Sequence, residues 1–352
     1  MSALSPTVEL GASWPPLGIS AINPFEFFKV LAVTLLYSIE PIAPYFSSYK
    51  ENSHTDGLNP YWISGFVDAE GSFMIFTRKK SDLKLKWSVE AAFAISINKI
   101  DLEILESIQS YFCVGNIHFN KKDDCYIWSV RSIKDLTDII IPHFEQFPLI
   151  TQKQIDFFLF KLAVELMNAK EHLTLSGLQK IVNLKASLNN GLSKSLKEAF
   201  PNWRAVPRPS VQVTKIMDPY WLVGFVNGDG SFYTTIALSK TNLIGYAVRL
   251  QFNIGQHSRD FELLSSFIKY LNYGSVKLKA KLPVCLFTVL SFEDQLNNII
   301  PFFEKYPLVG AKQKDFIDWC RIAKLMKNKL HLTDPPTHSC GRGGGISFNY
   351  RD

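Results

Sequence analysis

No two of the five cysteines (Cys113, Cys125, Cys285, Cys320, Cys340) are spaced as Cys-x-x-Cys, and their number is odd. That argues against a disulfide framework and against a cysteine-ligated zinc site, and it suits a reducing compartment. Positive charge is missing from the first stretch, where Lys29 is the first cation and Arg78 the first arginine. A secretory signal or an arginine-rich transit peptide is therefore not expected. Long apolar runs are missing as well. The stretch "VLAVTLLYSI" (Val30–Ile39) is too short to span a bilayer and runs directly into Glu40 and Pro41, so no stable membrane span is expected.

What is present is apolar and aromatic: 47% hydrophobic and 13% aromatic over 352 residues, enough for two domain cores. The net charge is +6, from 38 basic and 32 acidic residues. Residues 1–57 carry two lysines against five acids, a net of −3, which leaves +9 on the remainder. A basic excess of that kind commonly accompanies a nucleic-acid partner.

The remainder is written twice. "WISGFVDAEGSF" at Trp62 returns as "WLVGFVNGDGSF" at Trp221, an offset of 159 residues. The same offset relates "FAISINKIDLEIL" (Phe93) to "FNIGQHSRDFELL" (Phe252), and "PHFEQFPLITQKQIDF" (Pro142) to "PFFEKYPLVGAKQKDF" (Pro301). "KEHLT" and "KLHLT" follow in register. A constant offset of that length means two copies of one domain, a tandem pseudo-dimer about an approximate two-fold axis.

Within a copy the periodicity changes in order. Ile63, Phe66 and Val67 fall on one helical face, and Gly71 reads as a C-cap. Period-two alternation follows: Val248, Leu250, Phe252 and Ile254 on one face, Arg249, Gln251 and Asn253 on the other. Val276 and Leu278 alternate with Lys277, Lys279 and Lys281. Gln154–Lys170 and Leu175–Asn189 read as helices, and Phe200–Ser210, with three prolines, as the linker. The predicted class is α+β, a tandem pseudo-two-fold repeat of α-β-β-α-β-β-α domains with antiparallel sheets. The divisions expected are a poorly ordered leader at 1–57, domains at 58–200 and 219–334, a linker at 201–218 and an irregular tail at 335–352.

Gly65 and Ala69, matched by Gly224 and Gly228, are small residues at i, i+4 that let two helix backbones approach closely. Pairing that helix with its twin brings Glu70 and Asp229 to one seam. Two acids at helix C-termini repel each other and oppose the helix dipole, unless hard divalent cations lie between them. Acids flanking metal beside a basic, strand-lined surface suit metal-assisted phosphodiester hydrolysis.

The two dodecapeptides, in register with "PLITQK" (Pro148–Lys153) and "PLVGAK" (Pro307–Lys312), resemble the two-motif, single-chain LAGLIDADG homing endonucleases over nearly all of residues 58–334. The resemblance implies metal-binding acids at Glu70 and Asp229, with the carbonyls of Ala69 and Gly228 completing coordination of Mg²⁺ or another divalent cation. It implies active-site lysines at Lys153 and Lys312, which stabilise charge growing on the phosphate. It also implies a saddle of antiparallel strands that binds double-stranded DNA, one acid cutting each strand, in a monomer with an internal pseudo-dimer. By strand parity the first copy offers Ser72, Met74, Phe76, Arg78, Lys80, Ser88, Glu90, His118, Asn120 and Lys122 to the DNA. The second offers Ser231, Tyr233, Thr235, Ser239, Arg249, Gln251, Asn253, Lys277, Lys279 and Lys281.

Three departures stand out. Asn227 replaces the acid kept at Asp68, which reads as a helix-end or interface position. Ala94 stands opposite Asn253, and Ile97 opposite Gln256, so the first half-site is expected to be weaker or more dependent on water. After "HLT" the copies part, and the second lacks a last helix, through truncation, a shifted frame or natural variation. His172 and His331 read as capping residues. The leader segment Leu4–Glu26 resembles mitochondrial cytochrome c oxidase subunit III, which implies an intron-encoded product of the mitochondrion (matrix). Two alternatives to a double-strand endonuclease remain: a maturase that binds its host intron RNA, and an inactive DNA-binding remnant.

Overall fold

The computed structural model describes residues 58–209, 211, 215–242 and 244–332. The expected leader at 1–57, the expected tail at 335–352 and the expected loss of a last helix all lie outside the described residues. The first half runs α1 (Pro60–Glu70), β1 (Gly71–Lys79), β2 (Trp87–Asn98), α2 (Leu102–Phe112), β3 (Asn116–Asn120) and β4 (Cys125–Val130). It continues with α3 (Ile141–Gln146), α4 (Lys153–Asn168), α5 (Leu175–Ala186) and α6 (Lys194–Ala199). The second half runs α7 (Pro219–Asp229), β5 (Gly230–Leu238), β6 (Tyr246–His257), α8 (Phe261–Leu271), β7 (Ser275–Leu278), β8 (Val284–Val289), α9 (Ile300–Lys305) and α10 (Gly310–Lys327). The α-β-β-α-β-β-α order thus occurs twice.

Each half builds one four-stranded antiparallel sheet, in the orders β1-β2-β4-β3 and β5-β6-β8-β7. The registers repeat: Phe73 pairs with Phe93 as Phe232 pairs with Phe252. Those pairs face inward and seed an aromatic core. Phe73 meets Phe93, Phe144, Phe157 and Phe160. Phe232 meets Phe252, Phe303, Phe316 and Trp319, each offset by the same repeat. Edge-on and tilted aromatic contacts of this kind add to the energy of area burial.

Both repeated helices start by the same chemistry. Asn59 Oδ1 accepts from Tyr61 N, and Asp218 Oδ1 from Tyr220 N, both at 2.8 Å, and each side chain is followed by a proline in the first turn. Gly71 caps α1 as predicted, its N–H donating to Val67 O, but it is extended, at φ −74° and ψ 151°, as is Gly230, rather than left-handed. Glycine is needed there for space, since a Cβ on Gly71 would sit 2.5 Å from Val67 Cγ1 and 2.8 Å from Val67 O. The chain passes from helix to strand with no intervening loop.

The halves differ at one end. In the first, α5 and α6 enclose a second small core of Leu178, Val182, Leu192, Leu196 and Phe200, against which Leu85 and Trp87 pack. The second hairpin has no such cover among the described residues, and Ile236 and Leu238 are 45% and 84% exposed. The sequence of α10 suits that difference: Lys314 and Asp318 are exposed where Ile155 and Leu159 of α4 are buried. Helix α5 stops at Ala186, before the predicted Asn189, because the Ser187 amide turns back to the Leu184 and Lys185 carbonyls. Its N-cap is Thr174, whose Oγ1 accepts from Gly177 N at 3.0 Å. His172 therefore does not cap it, and the Nδ1 atoms of His172 and His331 are buried without hydrogen-bond partners among the described residues. The proline-rich connection is tied down, with Arg208 Nη1 donating to Asp156 Oδ1 at 2.7 Å and Ser187 Oγ to Val206 O at 2.6 Å.

Candidate active site and strand face

The seam is built by α1 and α7, buried nearly along their whole lengths. Small residues set their approach. A Cβ on Gly65 would fall 1.9 Å from Trp221 O, and one on Gly224 would fall 2.0 Å from Trp62 O. The two clashes are mirror images under the repeat, as an isologous contact requires. Further along, a Cβ on Gly228 would meet Ala69 Cβ at 2.4 Å and Glu70 Cγ at 3.1 Å. Gly65, Ala69, Gly224 and Gly228 therefore all lie at the helix–helix contact.

That contact delivers Glu70 and Asp229, the last residues of α1 and α7, to the same place. Burial pushes the Glu70 carboxyl up, against the pull of Lys153 and Lys312. Burial, and then repulsion from Glu70, pushes Asp229 up to about 7, against Lys153 and a hydrogen bond from Gln256 Nε2. The partner of Glu70 at the position of Gln256 is Ile97, which donates nothing. A cavity of about 440 Å³ opens beside Glu70 and Gly228, lined also by Ser96, Asp123 and Lys312.

Both lysines reach the seam. Lys153 Nζ donates to Val67 O at 2.9 Å and Ala69 O at 3.1 Å, and so grips the end of α1. Burial lowers its pKa, and the acids Asp68, Asp229, Glu70 and Asp156 oppose that drop. Lys312 Nζ donates instead to Gly230 O at 2.8 Å, one residue past Asp229. One lone pair of the Ala69 carbonyl is thereby engaged, whereas no lysine among the described residues holds Gly228 O.

The Asp68/Asn227 difference has a structural consequence. Asp68 accepts from Ile150 N at 2.9 Å, from Thr151 N and Oγ1, and across the seam from Trp221 Nε1 at 2.9 Å. Burial nonetheless raises it to about 6, the hydrogen bonds and Lys153 opposing. Asn227 has a single acceptor oxygen, which takes Val309 N at 3.1 Å, while its amide donates to Val309 O at 2.8 Å. The indole N–H of Trp62, the counterpart of Trp221, is left buried without a partner among the described residues.

The sheet registers place the predicted strand residues on one face. Ser72, Met74, Phe76 and Arg78 pair with Ala94, Ala92, Glu90 and Ser88, and β3 adds His118 and Asn120. Ser231, Tyr233 and Thr235 pair with Asn253, Gln251 and Arg249, and Lys277 pairs with Leu286. Five predicted strand positions lie beyond strand ends. Lys80, Ser239 and Lys279 close hairpins by backbone bonds, Lys281 turns at φ 67°, and Lys122 N donates to Asn120 Oδ1. These five sit on turns because β1, β3, β5 and β7 end at Lys79, Asn120, Leu238 and Leu278.

Sequence reasoning missed several neighbours. Arg131 stands 3.9 Å from Glu90 and, like Arg78, lies over the Phe76 ring, at 5.6 and 5.5 Å. Asn116 and Ser129, and Ser275 and Thr288, complete the outer faces of the two sheets. By sequence Gln256 stands out only as the counterpart of Ile97. Its contact with Asp229 follows from β6 running beside α7, which no spacing along the chain reveals.

Among the described residues, no group of three or more His, Cys, Asp or Glu side chains is gathered as a metal site. Donors for a cation at the seam are thus two carboxylates and backbone carbonyls, a set suited to a hard divalent ion. No helix among the described residues is long and apolar enough to cross a membrane.

The LAGLIDADG endonuclease family matches residues 63–164 and 222–323, and the cytochrome c oxidase subunit III family matches residues 1–63. The chain is 42% identical to probable intron-encoded endonuclease 3 of Neurospora crassa, over 82% of this chain and 54% of that protein. It is 37% identical to probable intron-encoded endonuclease 2 of the same organism, over 91% and 73% respectively. The chain thus spans about half the length of the first relative. A solved structure of I-SmaMI bound to uncleaved DNA target with calcium ions superposes with a TM-score of 0.77 at 45% identity, covering 78% of this chain and 94% of that one. With two matched repeats and relatives of this similarity, the chain belongs to the LAGLIDADG endonuclease family.

Proposed function

We propose that the protein is a site-specific endonuclease that hydrolyses one phosphodiester in each strand of double-stranded DNA at an intron-insertion site, using a divalent cation. The observation that carries this reading is the pair Glu70 and Asp229, one from each half, buried together at the end of a two-fold helix seam. Two buried acids, with Glu70 raising the cost of ionising Asp229, form a site that a divalent cation would complete. When bound, such a cation supplies Lewis-acid stabilisation of the charge developing on the phosphate. Glu70 and Asp229 would hold it, with the Gly228 carbonyl and the remaining lone pair of the Ala69 carbonyl. Lys153 and Lys312 place positive charge beside the same position, and their bonds to the Val67, Ala69 and Gly230 carbonyls orient the ends of both helices. Gln256 fixes the Asp229 carboxylate. The outer strand face, with Arg78, Arg131, Arg249 and Lys277, receives phosphates and base edges.

Support for the lysines comes from the relative: solved structures of I-SmaMI include alanine variants of two lysines, singly and together, whose spacing in that chain equals that of Lys153 and Lys312. The subunit III match and relatives from the mitochondrial ND4 and cox1 introns support a mitochondrial product. The test uses the full chain with Mg²⁺ and a plasmid carrying the joined subunit III exons. Linearisation is expected, and Glu70→Gln or Asp229→Asn should each abolish it while binding persists. An intact plasmid under conditions of demonstrated binding refutes the proposal.

A further inference from the structure

Each lysine-bearing helix begins with an amide held by a carboxylate of the opposite half. Gln152 N donates to Asp260 Oδ1 at 2.7 Å, and Ala311 N donates to Asp101 Oδ1 at 2.7 Å. The four residues are related by the repeat offset, so the crossing is reciprocal. Asp101 and Asp260 stand at the N-caps of α2 and α8, where a side chain ordinarily turns onto its own helix. Neither does so, and both reach across the seam instead. The approach is close. Gly310 sits at φ +64°, and a Cβ there would lie 2.4 Å from Asp101 Oδ1. Asp260 is buried, with Arg259 Nε 3.7 Å from its other oxygen. In both cases the amide held belongs to the residue immediately before the lysine.

We propose that Asp101 and Asp260 are positioning residues, each fixing from the opposite half the first turn that carries Lys312 or Lys153. The inference rests on the endonuclease reading, in which those lysines place positive charge beside the cation position. Its consequence is mutual dependence: the lysine of one half is placed only while the other half is docked. Through Lys153 the hold also reaches the end of α1, since that amine grips the Val67 and Ala69 carbonyls beside Glu70.

The experiment uses the full chain, Mg²⁺, and a duplex bearing the cleavage site with a different dye on each strand. Asp260→Ala is expected to slow the cutting of one strand, and Asp101→Ala that of the other, each on the order of tenfold to a hundredfold as expected for a misplaced group. Nicked duplex should accumulate while affinity, read by fluorescence anisotropy, stays the same. Asp260→Asn and Asp101→Asn keep an acceptor oxygen and should recover most of the rate. Gly310→Ala, whose methyl displaces the Asp101 carboxylate, should reproduce the strand bias of Asp101→Ala. If an alanine variant does not fold, Asp260→Glu and Asp101→Glu probe the same geometry by moving the carboxylate one methylene, and should slow the same strands. Wild-type rates on both strands, equal slowing of both strands by every variant, or asparagine variants as slow as alanine would each overturn the proposal. A wild-type chain that binds but never cuts overturns the endonuclease reading and this inference with it.

Discussion

Replacing Gly224 by alanine places a methyl 2.0 Å from Trp62 O and 2.8 Å from Phe66 N. A carbon and a carbonyl oxygen rest at about 3.3 Å or more. Helices α1 and α7 must therefore part by more than about 1 Å at their crossing, because backbone atoms cannot swing aside as a side chain does. A gap of that size forfeits roughly a quarter to a half of each contact's dispersion energy along the seam. We expect a loss at the upper end of the over-packing range, about 3 kcal/mol. At about 2–4 °C per kcal/mol for a unit of this size, Tm should fall by roughly 6–12 °C. Gly255→Ala is the internal control, since its methyl meets only Leu286 Cδ1, at 3.8 Å. That variant should stay within about 0.5 kcal/mol of the parent. Urea and thermal unfolding of the three proteins decide the matter. A Gly224→Ala protein as stable as Gly255→Ala would refute the backbone contact.

Other perturbations test other parts of the molecule. His143 lies among the rings of Tyr111, Phe112, Phe144 and Phe147, its Nε2 has no partner among the described residues, and burial lowers its pKa from 6.5 to about 4. As pH falls from 6.5 to about 4 the unfolded chain takes a proton that the folded chain refuses, so His143 costs up to about 3 kcal/mol of stability. His143→Phe, which copies Phe302 of the second half, should flatten the stability curve across that window; an unchanged slope would refute the assignment. Lys277→Ala should lower the slope of log K against log salt by about one and leave sequence preference intact. Arg249→Ala should relax preference at one base pair, worth about 1–3 kcal/mol. Equal weakening on every sequence would reassign Arg249 to the DNA backbone.

What the sequence by itself determined is whatever repeats or alternates. The offset of 159 residues is carried by "WISGFVDAEGSF" and its twin, and it implied the pseudo-two-fold arrangement. Alternation in Val248–Ile254 separated core face from outer face, and the small residues at 65, 69, 224 and 228 marked the seam with Glu70 and Asp229 at its end. These features are legible because they depend on periodicity or on copies in one chain. Tertiary structure alone decided the rest. Asp101 and Asp260 sit in repeated segments, yet each meets an amide 210 or 108 residues away in the other half. Gln256 on Asp229, Arg131 over Phe76, and the orphaned indole of Trp62 arise the same way. So does the role of Gly71, which is settled by the Val67 side chain rather than by φ. A side chain's partner across a seam depends on where two surfaces meet, and no spacing along one chain carries that distance.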